Sequence, residues 1–350
     1  MNAEKQDIRS LNLQQLQSAA VGMGQPLYRA KQLFHWLQAV GVTSFDEMTD
    51  QSRAFRAALA QRYYIANAEI AQKLVSKIDG TRKYLFRLHD GEYVESVLMD
   101  YHHGRSNCIS TQVGCRMGCT FCATGQSGFS RNLTPGEMLA QVQAAQRDGA
   151  RRISNIVLMG MGEPLDNYEN VLRFLDLISS ENGMQIGMRH ISLSTCGLVD
   201  RIYDLAQRGY QLTLSVSLHA PNDEIRRRTM PVARKYSIDE LLEACRHYAQ
   251  VTGRRISYEY AMIQGVNDSE ACAKELAHRL EGTLCHVNLI PINHVEGSGY
   301  QHSAAEPRQR FIRILEQHGI AATVRRTLGS DINASCGQLR RRKQEEVSHV

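Results

Sequence analysis

The sequence predicts an α/β chain: a parallel sheet curled into a partial (β/α)6 barrel, with a small N-terminal helical accessory domain and a β-hairpin linker ahead of it. Three observations predict this. From about residue 105, strand-like apolar runs alternate with segments of helical periodicity, the pattern of repeated β/α units whose sheet is covered on both faces. Two of the helical segments open with capping boxes, Thr134-Pro135-Gly136-Glu137 and Ser237-Ile238-Asp239-Glu240, and both end near a glycine. The first 65 or so residues carry helical spacing instead.

In chain order, "PLYRAKQLFHWLQAVGV" places Leu27, Ala30, Leu33, Phe34 and Leu37 on one face, the spacing of a core-facing helix, and "SFDEMTDQSRAFRAALAQRY" continues in the same way. "RKYLFRL" and "YVESVLM" alternate about the Asp-Gly turn "HDGE", which predicts a hairpin. The barrel strands are expected in "CISTQV", "ISNIVLM", "HISLST", "QLTLSVSL", "RISYEYAMI" and "CHVNLIPI". The final stretch, "ATVRRTLGSDINASCGQLRRRK", holds one further strand candidate and a basic tail. The expected domains are residues 1–70 (helical), 71–104 (hairpin linker), 105–300 (barrel) and 301–350 (C-terminal extension).

A chain of 350 residues that is 43% hydrophobic supports a real core and excludes wholesale disorder. The formal charge of +5 is a mild basic excess, compatible with RNA or phosphate ligands without selecting them. No signal peptide and no membrane-length apolar run is read, so a cytoplasmic protein with reduced thiols is expected. An odd number of cysteines, nine and unevenly spread, argues against a disulfide framework.

Four of those cysteines fall within "CISTQVGCRMGCTFC", and the last three, Cys115, Cys119 and Cys122, read C-x3-C-x2-C. A short loop with this spacing can aim three sulfurs at one point. Structural zinc wants four ligands, commonly as two C-x2-C knuckles, and there is no second knuckle. An iron–sulfur cluster held by three thiolates fits better, because its fourth iron stays open for another ligand. Unconnected buried cysteines are the third reading. Polar residues also recur at predicted strand ends: Ser194 in "SLSTCG", Ser217 and His219 with Leu218 in "SVSLHAPND", and Asn293 in "IPIN". Each alone suits a cap or a turn; with Glu163 in "IVLMGMGEP", polar residues at four strand ends together suit a ligand site at a barrel mouth.

A C-x3-C-x2-C loop after the first strand of a parallel β/α barrel resembles the radical S-adenosylmethionine (SAM) superfamily. The resemblance implies a [4Fe-4S] cluster whose open iron is taken by the amino and carboxylate groups of SAM, and a reduced cluster that cleaves SAM to a 5′-deoxyadenosyl radical. It also assigns Gly162 and Glu163 of "MGMGEP" to holding the SAM amino group. "CISTQVGC", "FCATG", "SGFSRNLT", "MGMGEPL", "SLHAPNDEIR" and "GSDINASCGQLR", with the N-terminal "YRAKQLFHWL…SFDEMT", further resemble the RlmN/Cfr family of RNA adenine methyltransferases over residues 8 to 342.

That family methylates electron-poor adenine carbons, which cannot attack SAM themselves, with two cysteines and two SAM molecules per turnover. By resemblance, Cys336 carries the methyl group, Glu95 is the base that takes the ring proton, and Cys108 resolves a protein–RNA crosslink, leaving a Cys108–Cys336 disulfide. Cys196, Cys245, Cys272 and Cys285 are expected to be core or surface residues. The implied substrates are 23S rRNA and, in some lineages, the tRNA adenine next to the anticodon, with the target base flipped from its stack. The Gly-Glu-Pro form of the SAM motif resembles the branch that methylates C2; methylation of C8, the Cfr type, is the alternative. A reducing protein such as flavodoxin and a monomeric state are expected. Phosphate contacts are expected among Arg29, Lys31 and His35, Arg151 and Arg152, Arg226 to Arg228, Arg325 and Arg326, and the tail Arg340 to Lys343. Two other readings stay open: a radical SAM enzyme acting on a protein or small molecule, and a non-catalytic RNA-binding protein with a structural metal.

Overall fold

The computed structural model describes residues 5–102, 104–292 and 299–334. Asn293 and Cys336, both singled out above, lie outside the described residues, as does the basic tail from Arg340.

The N-terminal unit holds helices α1 (Leu13–Val21), α2 (Tyr28–Phe34, continued by a wider turn to Val40) and α3 (Arg53–Arg62). Asn12 and Gln15 form a capping box at the start of α1. Ala30, Leu33, Phe34 and Leu37 are buried as their spacing requires. Leu27 departs from that expectation and is 58% exposed, because it sits at the N-cap, before the first helical turn can rotate it inward.

Ten strands form one sheet whose spatial order follows the chain. They are β1 (Glu69–Val75), β2 (Arg82–Arg87), β3 (Tyr93–Tyr101), β4 (Gly104–Cys108), β5 (Asn155–Leu158), β6 (Ile191–Thr195), β7 (Thr213–Ser217), β8 (Ile256–Met262), β9 (Cys285–Pro291) and β10 (Ala321–Val324). β1 to β4 pair antiparallel; from β4 to β10 every pair is parallel. Five of the six expected barrel strands are present, β4 takes the place of the first, and the candidate in the C-terminal stretch adds a seventh as β10. The hairpin β2–β3 is continuous with the sheet and is joined by β1. Both capping boxes form, at the heads of helices Pro135–Gly149 and Ile238–Thr252. Among the described residues, no helix is long and apolar enough to cross a membrane.

The first barrel strand differs from the expected "CISTQV". β4 ends at Cys108, and Gln112–Gly114 pairs antiparallel with Phe129–Asn132 as a separate small hairpin. Past Cys108 the chain stays tied to both neighbouring strands by irregular bonds in place of a regular ladder. Ser110 donates its hydroxyl to the Glu95 carbonyl (2.7 Å), and the Thr111 N–H goes to the Met161 carbonyl (2.8 Å). This second hairpin frames the cysteine loop.

A buried polar seam joins the N-terminal unit to helix Pro135–Gly149. Arg9, fully buried, donates to Gln143 Oε1 (2.6 Å) and to the Val42 carbonyl. Gln143 donates on to the Leu37 carbonyl (2.9 Å), and Gln38 donates to the Arg9 carbonyl (2.8 Å). Removing one member leaves the others buried without partners, which costs more than the bond itself contributes. Arg9→Met is therefore expected to lower stability by about 3 kcal/mol, read as a fall in the urea midpoint; an unchanged midpoint would show that the seam is dispensable.

Candidate active site at the barrel mouth

The cysteine loop follows the small hairpin. Cys115 donates its N–H to the Gly128 carbonyl (2.9 Å), and Cys122 donates to the Cys119 carbonyl (3.1 Å), so the loop folds back on itself. Cys115, Cys119 and Cys122 then line one cavity of about 300 Å³, together with Gly162, Glu163, Ser194, Ser217 and His219. That volume is within the range of small-ligand clefts. The residues come from the ends of β5, β6 and β7 and the loops after them, the mouth of a parallel sheet.

Three soft thiolate donors on one cavity suit an iron–sulfur cluster whose fourth iron would stay open. Burial pushes the Cys115 thiol up to about 12, and burial followed by the neighbouring Cys122 and Cys115 raises Cys119 further. Three such thiolates need a positive partner among them, which the irons of a cluster would provide.

Gly162 has φ +103°, and a Cβ there would fall 2.6 Å from the Gln112 Cβ, so only glycine lets this turn lie against the loop. Glu163 is buried and braces the mouth. Its Oε2 accepts from the Cys196 N–H (2.6 Å), its Oε1 from the Leu165 N–H (3.0 Å), and its own N–H donates to Gln112 Oε1 (2.9 Å). Burial raises the Glu163 carboxyl above its ordinary value. His219, with φ +57°, stacks edge-on against Phe121 with ring centroids 4.9 Å apart. Its Nδ1 accepts from the Ala261 N–H (2.8 Å), which leaves the proton on Nε2. Leu218 does not line the cavity: its side chain is fully buried in the core, and its N–H goes to the Glu259 carbonyl (3.0 Å).

Cys108 lies elsewhere, in an adjoining cavity of about 190 Å³ with Val97, Met99, Tyr101, Leu328 and Ala334. Met159, Ile290, Pro291 and Arg325 line both cavities, so the two share a wall. Ala334 is two residues short of Cys336. Glu95 lines neither cavity. It is buried in the sheet and ion-paired with Lys83 at 3.1 Å, with both side chains almost wholly inaccessible, instead of lying on a solvated strand face.

Cys196, expected as a core or surface cysteine, and Arg325, expected as a phosphate contact, both line the first cavity, and so does Glu259, which the sequence reading passed over. Glu259 is buried, which raises its carboxyl, and accepts from Asn288 Nδ2 (2.9 Å); Arg325 approaches it at 3.9 Å. A glutamate inside the apolar strand "RISYEYAMI" was the available signal, since buried carboxylates are rare without a role. Cys245 and Cys272 are buried and Cys285 partly so, as expected.

One expected phosphate contact is overturned. Arg226 is fully buried behind the cavity, donating to the Cys196 (2.7 Å) and Leu218 (3.3 Å) carbonyls, and cannot meet RNA from the surface. Arg227 and Arg228 are ion-paired within their helix to Asp223 and Glu224. Arg325 and Arg326 line the Cys108 cavity; Lys31, His35, Arg151 and Arg152 are exposed, and Arg29 donates to the Asp50 carbonyl (2.7 Å).

Two family models match the chain: "Radical SAM superfamily" over residues 109–275 and "Ribosomal RNA large subunit methyltransferase N-terminal domain" over residues 6–65. A protein of Alkaliphilus oremlandii named "Probable dual-specificity RNA methyltransferase RlmN" is 54% identical, over 97% of this chain and 98% of its own. A protein of the same name from Clostridium novyi is 52% identical, over 90% and 92%. A crystal structure of a radical SAM methyltransferase from Sphaerobacter thermophilus superposes with TM-score 0.91 at 46% identity, covering 95% of this chain and 98% of its own.

His219 gives a pH prediction. Burial, then Arg226, lowers its pKa from 6.5 to about 3, so between those values the unfolded chain takes up a proton that the folded one refuses. Stability from this residue is present above pH 6.5 and falls as pH falls toward 3. Between pH 7 and pH 5, His219→Gln is expected to lose about 2 kcal/mol less than the parent. Urea unfolding at both pH values measures the difference; parallel losses would mean that His219 is solvated.

Proposed function

This chain belongs to the RlmN family of radical SAM RNA methyltransferases, and from that premise we propose that it methylates C2 of an adenine in 23S rRNA and of the adenine beside the tRNA anticodon. The observation that carries the reading is the shared wall between the three-cysteine cavity and the Cys108 cavity, with the chain leading to Cys336 at its edge. The dual-specificity name of the relatives supports two RNA substrates. Gly162-Glu163-Pro164 supports C2 over C8.

Cys115, Cys119 and Cys122 would hold the cluster, and the Gly162–Glu163 turn, Ser194, Ser217, His219 and Asn293 would hold SAM. When bound, cluster and SAM supply a one-electron cleavage of the sulfonium and with it a hydrogen-abstracting carbon radical. The protein's own groups do the rest. The Cys336 thiolate would attack the methyl carbon of one SAM molecule and take the methyl group, with S-adenosylhomocysteine leaving, a substitution suited to sulfur. The S-methyl carbon, short of one hydrogen atom, would bond to adenine C2, and the adduct would give up its C2 proton to Glu95 and one electron to a redox acceptor. Cys108 would then attack the Cys336 sulfur, the departing carbon would take a proton to become the methyl group, and a Cys108–Cys336 disulfide would remain for an external thiol reductant.

The helical residues 1–70 would grip folded RNA, with 71–104 as linker, 105–300 as the radical SAM barrel and 301–350 as the carrier extension. A flavodoxin-type protein would supply the electron to a monomeric enzyme in the cytoplasm.

The test is to reconstitute the cluster anaerobically, add SAM and reductant without RNA, and weigh the Cys336 peptide. The expected result is a peptide heavier by one methyl group. An unmodified Cys336 with SAM still cleaved would overturn the relay. With RNA added, Cys108→Ala is expected to accumulate a covalent protein–RNA adduct visible on a denaturing gel, whereas Cys336→Ala forms none. Cys119→Ala should lose the visible iron–sulfur absorption.

A further inference from the structure

The turn between β1 and β2 grips the chain just ahead of the carrier cysteine. Asp331 accepts from the Ser76 hydroxyl (2.7 Å) and the Lys77 N–H (2.8 Å), and Asp79 accepts from the Gly329 N–H (2.8 Å). Gly329 has φ +61°, and a Cβ there would stand 2.6 Å from the Ala334 Cβ and 3.1 Å from Thr81, so the bend requires glycine. Deeper in, the Lys83 ammonium donates to the Asn333 carbonyl at 2.9 Å while paired with Glu95 at 3.1 Å.

Strand register sets where this grip points. Lys83 lies opposite Val97, Val97 opposite Cys108, and Cys108 beside Val157, so Lys83 and Cys108 share one row across the sheet. Side chains along such a row stand on the same face, and two strand spacings separate Lys83 from Cys108, about 10 Å. Ala334, next after the gripped Asn333, packs into the small apolar cluster of Val97, Met99 and Cys108. The segment thus runs along this row from Lys83 toward Cys108.

We propose that Lys83 is a positioning residue for the methyl relay, and that with the Ser76–Thr81 turn it clamps residues 329–333, the described chain just ahead of the carrier cysteine, beside the Cys108 cavity. This rests on the relay reading above. The buried ammonium is the strong point of the clamp, because releasing Asn333 strips a charge-assisted hydrogen bond from an ion that has left water. Asp331 is solvent-facing and contributes less. Because Lys83 also holds Glu95, seating the segment and orienting the proposed base are coupled.

The experiment compares parent, Lys83→Met, Lys83→Arg and Asp331→Ala as cluster-loaded enzymes. Expected in Lys83→Met is a fall in Cys336 methylation of about tenfold to a hundredfold, the scale of one charge-assisted hydrogen bond. Iron content and the yield of 5′-deoxyadenosine from SAM stay at the parental level. Lys83→Arg recovers most of the rate, and Asp331→Ala loses about twofold to fivefold. Parental methylation in both Lys83→Met and Asp331→Ala overturns the clamp. Should Lys83→Met lose its iron, Asp331→Ala and Lys83→Arg decide. Should the parent itself fail to methylate Cys336, the relay reading falls, and the clamp is then read from Cys108–Cys336 disulfide formation under mild oxidant. Slower closure in the variants supports the clamp, and equal closure overturns it.

Discussion

Strand β4 is the constraint on which the rest depends. It pairs antiparallel with β3 on one side and parallel with β5 on the other, so the sheet changes sense across this one strand. Its last residue, Cys108, is pinned between Val97 and Val157. Everything after it must follow the parallel rule, with each strand ending at the same mouth and each return made by a crossover. Past Cys108 the regular ladder ends, and Ser110 and Thr111 bond irregularly to Glu95 and Met161 before the small hairpin begins. That exit launches the cysteine loop over the mouth and leaves Cys108 at the end of β4, on the adjoining cavity. One change of strand sense therefore separates three clustered thiols from a fourth that is close in sequence.

Charges taken out of water mark the joints of the molecule. Arg9 ties the helical unit to the barrel, Arg226 braces the strand ends behind the cavity, and Lys83 pairs with Glu95 inside the antiparallel strands. Each would be costly alone and is kept by several oriented acceptors. Such groups contribute less to net stability than to uniqueness of placement, since a shifted joint would strand a charge in the core. A site assembled from widely separated parts of the chain needs such placement.

Much of this was legible in the sequence, because local signals are strong where one residue type satisfies one local demand. The two capping boxes, the alternation of strand and helix, the apolar stripe of α2 and the C-x3-C-x2-C loop each declare themselves within a few residues. Glu163 and His219 were nameable because they follow predicted strands. Leu27 and "CISTQV" misled because periodicity does not say where an element begins or stops; caps and competing side-chain bonds do. Arg226 was read as a phosphate contact because a run of three arginines looks alike from outside, and only packing distinguishes the one that turns inward.

By itself the sequence determined the element types, the thiol-rich loop and the membership of a family whose motifs are spread along nearly the whole chain, since these rest on spacing and residue chemistry. Only the tertiary structure decided which distant residues meet: that Lys83 reaches both Glu95 and the Asn333 carbonyl, that Cys108 and the three-cysteine loop look onto adjoining cavities, and that Glu259 and Arg325 face the first of them. Pairing register and burial are properties of the whole sheet, and no short window of sequence contains them.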